Sequence, residues 1–392
     1  MAKQKSKINL KALTGGETAT EAMRQINPDV FAAYPITPQT PIIQSFARLV
    51  ADKKVETKFI LVESEHSAMS LTVGAAAAGG RAMIATSSQG LALMSEILPI
   101  ASGMRLPIVM NLVTRALSAP INIHNDHQDA MMVRDLGWIQ IFCENNQEVY
   151  ENNFLAIRLT EDSEVSLPVM VCQDGFITSH NTEGVKVYSD KIIRKFLGEF
   201  KPKYFLLDLK NPVTMGPLAL PDYYFEIKFQ VVQAMEKAKK KYLIVGKELG
   251  KITGRRYDYF ERYLLNDAQA VIVALGSAAG TVRGTVDKLR KKGKKVGLLK
   301  INLFRPFPYQ EVKKALAKIK AVGVLERTMG FGSYSPLASE IRHCLSFNQK
   351  IQDYSFGLGG RDIGPGEIEN IFIQLLKGQI SDQVKYIGLR TT

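Results

Sequence analysis

The segment VFAAYPITPQTP, residues 30–41, carries the pattern most diagnostic of how this chain folds. An apolar run opens the segment, and three prolines then alternate with hydroxyl and amide side chains. Each proline fixes its own φ and pushes the preceding residue towards an extended conformation, so Thr37 is held between two conformational restraints. We predict a strand that ends in a stiff loop, as in α/β folds whose strand-end loops contact ligands. A proline-rich turn that caps the next helix is the alternative for this segment alone.

Apolar runs and helical patterns alternate on both sides of this segment. The predicted strands are 30–34, 58–62, 82–86, 108–113 and 169–173, and the predicted helices are 17–26, 41–52, 65–78, 92–102 and 147–159. Such alternation predicts a parallel sheet with helices on both faces.

The regular alternation stops near residue 188, where prolines interrupt the pattern before a long helix predicted at 223–241. A second α/β unit follows, with predicted strands at 270–275, 296–301 and 321–326 and a helix at 281–291. We therefore expect three parts. They are a first α/β domain at 1–187, a connector arm at 188–262 and a second α/β domain at 263–392.

Composition limits the class of protein. The 392 residues are 46% apolar, enough for a sizeable core, and no apolar run reaches the length of a membrane span. The N-terminus is polar and lysine-rich, so we expect a soluble cytoplasmic protein. The net charge of +13 comes without the aromatic interleaving or motif of a nucleic-acid binder. Three well-separated cysteines favour buried thiols over a disulfide framework, a zinc site or an iron–sulfur cluster.

Polar side chains follow four of the predicted strands. In chain order they are Thr37, Glu65, the loop residues Ser88, Gln89 and Gly90, and Arg115. Ser64 fits an N-cap, which places Glu65 in the first helical turn, where the helix dipole favours a carboxylate. Arg115 can bind a carboxylate through two parallel hydrogen bonds. Because the ends of parallel strands share one edge of a sheet, these groups are expected to form one site.

Each signal has a structural alternative when taken alone: Glu65 can stabilise its helix, residues 86–90 can form a simple turn, and Arg115 can form a surface salt bridge. The polar segment 122–129 contains four candidate metal ligands, but a polar loop that lines a cleft fits it better. The four are His124, Asp126, His127 and Asp129. The sequence shows no nucleophile–base pair and no phosphate-cradling loop, so the predicted site looks like half of one.

At these residues the chain resembles the α subunit of pyruvate:ferredoxin oxidoreductase, within the 2-oxoacid:ferredoxin oxidoreductase family. The resemblance covers nearly the whole chain in order. Its matching segments are YPITPQTP (34–41), ESEHSA (63–68), TSSQGLALM (86–94), LPIVMNLVTRALSAPINIHNDHQDAM (106–131), GWIQ (137–140), DGFITSH (174–180), FRPFP (304–308) and GLGGRDI (357–363).

The resemblance implies a thiamine-diphosphate-binding-type doubly wound parallel sheet, the pyrimidine-binding domain, followed by a smaller transketolase C-terminal-like α/β domain. It implies that thiamine diphosphate is shared with a β subunit, which holds its diphosphate and Mg²⁺. Iron–sulfur clusters are implied in partner subunits and none in this chain. The implied partners are β, γ and δ subunits, with ferredoxin or flavodoxin as electron acceptor, and neither nucleic acid nor a membrane.

Residue by residue, the resemblance places Glu65 on the cofactor-activating glutamate. There, a carboxylate hydrogen-bonded to the pyrimidine nitrogen favours the imino tautomer, which removes the proton from the thiazolium carbon. Ser88, Gln89 and Gly90 fall on the cofactor side, whereas Thr37 and Arg115 fall on positions that contact the substrate. No metal ligand and no role for His124 or His127 is implied.

The implied reaction is oxidative decarboxylation of pyruvate with CoA to acetyl-CoA and CO₂, a step of anaerobic metabolism. The alternatives are a subunit specific for 2-oxoisovalerate or another 2-oxoacid, the pyrimidine-binding chain of another thiamine enzyme, and a non-catalytic scaffold subunit. YPITP and GLGGRD argue against another thiamine enzyme, and the joint presence of Thr37, Glu65 and Arg115 argues against a scaffold.

Overall fold

The computed structural model describes residues 9–390, so the extreme ends of the predicted parts 1–187 and 263–392 lie outside the described residues. Its first 16 helices and strands lie between residues 9 and 197. They are β1 (Asn9–Thr14), α1 (Gly15–Ile26), β2 (Val30–Ala33), α2 (Thr40–Ala51), β3 (Lys58–Leu61), α3 (Glu65–Ala77), β4 (Ala82–Thr86), α4 (Ser88–Met94), α5 (Leu98–Gly103), β5 (Ile108–Thr114), α6 (Gln128–Met132), β6 (Ile139–Phe142), α7 (Asn146–Thr160), β7 (Val169–Asp174), β8 (Thr182–Val187) and α8 (Asp190–Leu197).

The remaining elements begin with a helix of 33 residues. They are α9 (Pro221–Thr253), β9 (Phe260–Tyr263), β10 (Ala270–Ala274), α10 (Ala278–Lys291), β11 (Val296–Ile301), β12 (Leu303–Arg305), α11 (Tyr309–Leu316), β13 (Ala321–Glu326), α12 (Pro336–Cys344), β14 (Lys350–Phe356), a 3₁₀ turn (Leu358–Gly360), α13 (Pro365–Leu376) and β15 (Lys385–Ile387). Among residues 9–390, no helix is both long and apolar enough to cross a membrane.

Two parallel sheets organise the molecule. The first has seven strands in the order β12-β6-β7-β5-β4-β2-β3, and only the edge strand β12 is antiparallel to its neighbour. The second has six strands in the order β15-β14-β13-β10-β11-β9, with β9 antiparallel. Every residue of the central strands β4 and β5 is buried, as expected for strands covered by helices on both faces. The predicted α/β class with parallel sheets is confirmed.

The structure differs from the predicted elements in several places. The helix predicted at 92–102 is two short helices, because Pro99 lies at the start of α5 and cannot donate the hydrogen bond that a continuous helix needs there. The helix predicted at 223–241 extends to Thr253, where Gly254 ends it in a left-handed conformation. The short strands β6 and β12 and the antiparallel pair β1–β8 were not predicted.

The segment from residue 204 to residue 232 exposes many apolar side chains. Between residues 204 and 232 the exposed ones include Leu209, Leu218, Tyr223, Phe225 and Phe229. By contrast, α9 from residue 234 onwards buries Ala234, Ala238, Tyr242, Val245 and Leu249. The helix therefore anchors to the body of the molecule through one half and leaves an apolar surface on the other.

Candidate functional site

Four neighbouring strand ends form the candidate site. In the order β5-β4-β2-β3 these strands are adjacent and parallel, so their carboxyl ends lie side by side. Thr37 follows β2, Glu65 follows β3, Ser88 follows β4 and Arg115 follows β5. The structure thus brings the residues singled out in the sequence to one sheet edge and connects them by the contacts described below.

Arg115 is held by backbone carbonyls. Its Nη1 donates to the Thr37 carbonyl oxygen over 2.8 Å, and its Nε donates to the Asn122 carbonyl oxygen over 2.9 Å. The side chain is 6% exposed, and burial lowers the pKa of Arg115 while the nearby Asp129 raises it. The remaining N–H groups of the guanidinium are able to bind a carboxylate. The contact with Thr37 also ties the exposed Thr37 side chain to the position of Arg115.

Glu65 begins helix α3. The Ser64 hydroxyl caps this helix by accepting the Ser67 N–H over 3.1 Å, which sets Glu65 in the first turn. Glu65 is only 9% exposed. A Cβ built on Gly90 would lie 2.8 Å from Glu65 Cγ and 2.9 Å from Oε1. The bare backbone of α4 therefore approaches the Glu65 side chain, and a larger residue than glycine at position 90 would displace it.

The first turn of α4, directly after β4, is held by contacts within the chain. Ser88 is fully buried, has a positive φ of 45°, and places its Oγ 2.5 Å from the Ala116 carbonyl oxygen and 2.7 Å from Gln89 Oε1. Gln89 itself is exposed, and its Oε1 accepts the Ser118 N–H over 3.3 Å. The Ser88 hydroxyl is therefore engaged inside the protein, whereas Gln89 presents an exposed amide and Gly90 lies buried against the Glu65 side chain.

The polar segment 122–129 proves to be a packed loop whose candidate metal ligands have other partners. His127 Nε2 lies 2.9 Å from Asp174 Oδ1, and the His124 ring packs 4.8 Å from the Phe176 ring, centre to centre. Asp129 accepts backbone N–H groups. In the part of the chain that the structure describes, no three His, Cys, Asp or Glu side chains are grouped to hold a metal ion.

The GLGGRD segment of the second domain packs on this loop. Gly357, Gly359 and Gly360 all have positive φ, and the Gly360 N–H donates to the Asn125 carbonyl oxygen over 2.7 Å. A Cβ on Gly360 would lie 2.4 Å from His124 Cβ. The glycines are needed because two backbones meet here. This contact between domains was not predicted, since the sequence gives no sign of which loops face each other.

Two family profiles match the chain. The profile for "Pyruvate flavodoxin/ferredoxin oxidoreductase, thiamine diphosphate-binding" matches residues 21–246, and "Pyruvate:ferredoxin oxidoreductase core domain II" matches residues 268–368. The chain belongs to the pyruvate:ferredoxin oxidoreductase family. The predicted family is thereby confirmed, and with it an enzyme class of thiamine-diphosphate-dependent oxidoreductases.

Curated relatives align over nearly their whole length. Pyruvate synthase subunit PorA of Thermotoga maritima is 54% identical over 97% of this chain and 98% of the relative. PorA of Methanocaldococcus jannaschii is 46% identical over 97% of this chain and 98% of its own length. Ketoisovalerate oxidoreductase subunit VorA of Pyrococcus horikoshii is 40% identical over the same shares. These relatives agree with the predicted assignment and favour pyruvate synthase over the ketoisovalerate alternative.

Solved structures show the same fold. The 2-oxoglutarate:ferredoxin oxidoreductase from Magnetococcus marinus superposes with a TM-score of 0.74 at 20% identity, over 94% of this chain and 65% of that longer chain. A split-gene transketolase superposes with a TM-score of 0.57 at 13% identity, over 94% of this chain and 99% of that one. At these identities the likeness concerns the fold alone, and it agrees with a thiamine-diphosphate-type domain followed by a transketolase-like domain.

Proposed function

We propose that this chain is the α subunit of a pyruvate:ferredoxin oxidoreductase. With its partner subunits it converts pyruvate and CoA to acetyl-CoA and CO₂ and passes the electrons to ferredoxin or flavodoxin. The observation that carries the proposal is the joint placement of Glu65, Arg115 and Thr37 at one sheet edge, in a chain 54% identical to a pyruvate synthase subunit. A 2-oxoisovalerate-specific subunit is the second candidate, favoured by the 40% identity to VorA.

The residues present fit the pyrimidine half of thiamine diphosphate. The bare backbone of Gly90 lies so close to the buried Glu65 side chain that a Cβ would collide with it, so Gly90 and Glu65 together would form one wall of the pyrimidine site. Gln89 and Gly90 would line the cofactor, with Ser88 holding their loop in place, and the Glu65 carboxylate would accept a hydrogen bond from the pyrimidine ring. When bound, thiamine diphosphate supplies the electron sink that decarboxylation requires.

On the substrate side, Arg115 would bind the carboxylate of the 2-oxoacid. Because its Nε and Nη1 are already bound to backbone carbonyls, the guanidinium enters the reaction in a fixed orientation. Fixing a substrate in this way lowers the entropic part of the barrier. Thr37, whose carbonyl takes part in holding Arg115, would place its exposed side chain beside the same substrate.

Partner subunits would supply the rest. The chain has three cysteines, Cys143, Cys172 and Cys344, whereas an iron–sulfur cluster commonly requires four cysteine ligands. All three thiols are buried, and burial raises the pKa of Cys344 to about 12. Electron transfer through clusters would therefore run in partner chains, proposed as β, γ and δ. The β subunit would hold the diphosphate and Mg²⁺ of the shared cofactor.

We also propose the division into a pyrimidine-binding domain at 1–187, a connector arm at 188–262 and a transketolase-like domain at 263–392. The two separate parallel sheets support this division, although β12 returns from the second domain to the edge of the first sheet. A cytoplasmic location is proposed because ferredoxin and CoA are cytoplasmic reactants.

The proposal is tested by purifying the chain with its copurifying subunits and assaying several 2-oxoacids. We expect the complex to reduce methyl viologen with CoA and to show its highest kcat/KM with pyruvate, while the isolated chain is inactive. A higher kcat/KM with 2-oxoisovalerate than with pyruvate would show that 2-oxoisovalerate is the preferred substrate. A complex without activity on any 2-oxoacid would point to the scaffold alternative.

A further inference from the structure

Asp129 joins two loops of the candidate site through one carboxylate. Its Oδ2 accepts the Ser88 N–H over 2.9 Å and the Arg115 N–H over 3.0 Å, while Oδ1 accepts the Ala130 N–H over 2.7 Å. The side chain is fully buried. One oxygen therefore serves backbone groups from the ends of two different strands.

These two loops need such a link because the strand ladder has ended. The pairing of β4 with β5 stops at Thr86 and Leu112, before Ser88 and Arg115 are reached. Beyond that point the segments after β4 and β5 are connected by the Asp129 carboxylate, by the bond from Ser88 Oγ to the Ala116 carbonyl oxygen and by the longer bond from the Ser118 N–H to Gln89 Oε1. Asp129 thus holds the two segments next to each other beyond the last paired residues of the strands.

Burial disfavours the ionised form of this carboxyl. Burial raises the pKa of Asp129 to about 8, although the N–H groups of Ser88, Arg115 and Ala130 lower it. The backbone donors thus fall short of offsetting the lost hydration of the ionised carboxylate. The geometric role of Asp129 is therefore the hydrogen bonds that it accepts from both loops.

We propose that Asp129 is a positioning residue that fixes the spacing between the cofactor-facing loop at Gly90 and the substrate-binding Arg115. The inference rests on the proposed function for those two roles. Ser88 is two residues from Gly90, which contacts Glu65. The position of the Arg115 backbone determines where the Arg115 side chain can place its guanidinium. A shift at the shared oxygen moves both loops relative to one another.

The test uses the assembled complex and the variant Asp129→Asn, which keeps the side-chain shape but replaces one acceptor oxygen with a donor. Because each carboxylate oxygen faces a backbone N–H, the amide NH₂ meets a donor in either orientation and displaces the side chain that joins the two loops. We expect KM for pyruvate to rise and kcat to fall, each by about tenfold. The matched control is Asp353→Asn. It alters another buried carboxylate, which accepts the Ser335 N–H over 2.9 Å in the second sheet, and it should leave both constants within about twofold.

A double-mutant cycle with Arg115→Ala separates this inference from the proposed function. If Asp129 acts through Arg115, adding Asp129→Asn to Arg115→Ala should change KM by less than about twofold. Independent, multiplying effects on KM would overturn the inference. An unchanged KM in Arg115→Ala alone would overturn the substrate role of Arg115 in the proposed function.

Hydrogen exchange provides a readout that does not depend on turnover. In the complex, peptides containing the Ser88 and Arg115 amides should exchange faster in Asp129→Asn than in the wild type, and the Asp353→Asn control should match the wild type. Equal protection of both peptides in Asp129→Asn would overturn the inference whatever the kinetics show.

Discussion

Gly90 is the residue where the absence of a side chain matters most to the site. A Cβ there would lie 2.5 Å from Thr86 Oγ1 and 2.8 Å from Glu65 Cγ, closer than real Cβ contacts allow. Its φ is unremarkable for a helix, so glycine is needed for space rather than for conformation. The same glycine thus fixes how closely helix α4 can approach the Glu65 carboxylate.

We predict that Gly90→Ala lowers kcat by about 10²-fold in the assembled complex, because the Glu65 carboxylate must move to admit the methyl group. Gly74→Ala is the matched control. Gly74 lies inside α3, where a Cβ would meet nothing within 4 Å, so this change should leave activity intact and stabilise the helix by up to about 1 kcal/mol. Comparable losses of activity in both variants would contradict the assigned role of Gly90.

At the scale of elements, local sequence patterns predicted those strands and helix ends that depend on neighbouring residues alone. Apolar runs marked β2, β4 and β5, and Ser64 correctly marked the start of α3. Because parallel strands end at the same edge of a sheet, the sequence also predicted that the residues after these strands lie side by side. The family resemblance added the roles proposed for the side chains.

The remaining elements depend on distant parts of the chain. Strand β6 has only four residues, and β12 has three and pairs with it across more than 150 positions of sequence. No periodicity of a segment that short distinguishes a strand from a loop. The bonds of Asp129 to Ser88 and Arg115 were missed for the same reason, since they join backbone groups that only the folded chain brings together.

At the scale of the whole molecule, Asp174 joins the two domains. It ends β7 of the first sheet, and its Oδ2 accepts the Ser277 N–H over 3.1 Å and the Ser277 hydroxyl over 2.5 Å from the second domain. Gly276 has a positive φ, and a Cβ there would lie 2.7 Å from Asp174 Oδ1. His127 contacts the same carboxylate, so the loop that carries Asp129 is tied to this junction.

This junction predicts a pH dependence of stability. Burial by itself would raise the pKa of Asp174, but His127, Arg327 and Ser277 lower it to about 2 from 3.8. A lowered pKa means that the fold favours the ionised form, so the stabilisation is complete above pH ~4 and is lost as the pH falls towards ~2.

We expect the free energy of unfolding of the purified chain to fall by about 2 kcal/mol more across this window in the wild type than in Asp174→Asn. Urea unfolding at several pH values between about 4.5 and 2 measures the difference. Parallel pH profiles for the two proteins would show that Asp174 is not stabilised in its ionised form.

The central claim is that Glu65 activates the cofactor in a complex that acts on pyruvate. The most direct test is the rate of pyruvate- and CoA-dependent methyl viologen reduction by the assembled complex carrying Glu65→Gln, with subunit assembly checked by size-exclusion chromatography. The glutamine keeps the size of the side chain but removes its negative charge. We predict a loss of at least about 10²-fold in kcat with assembly retained. A wild-type rate in the fully assembled variant would contradict the account.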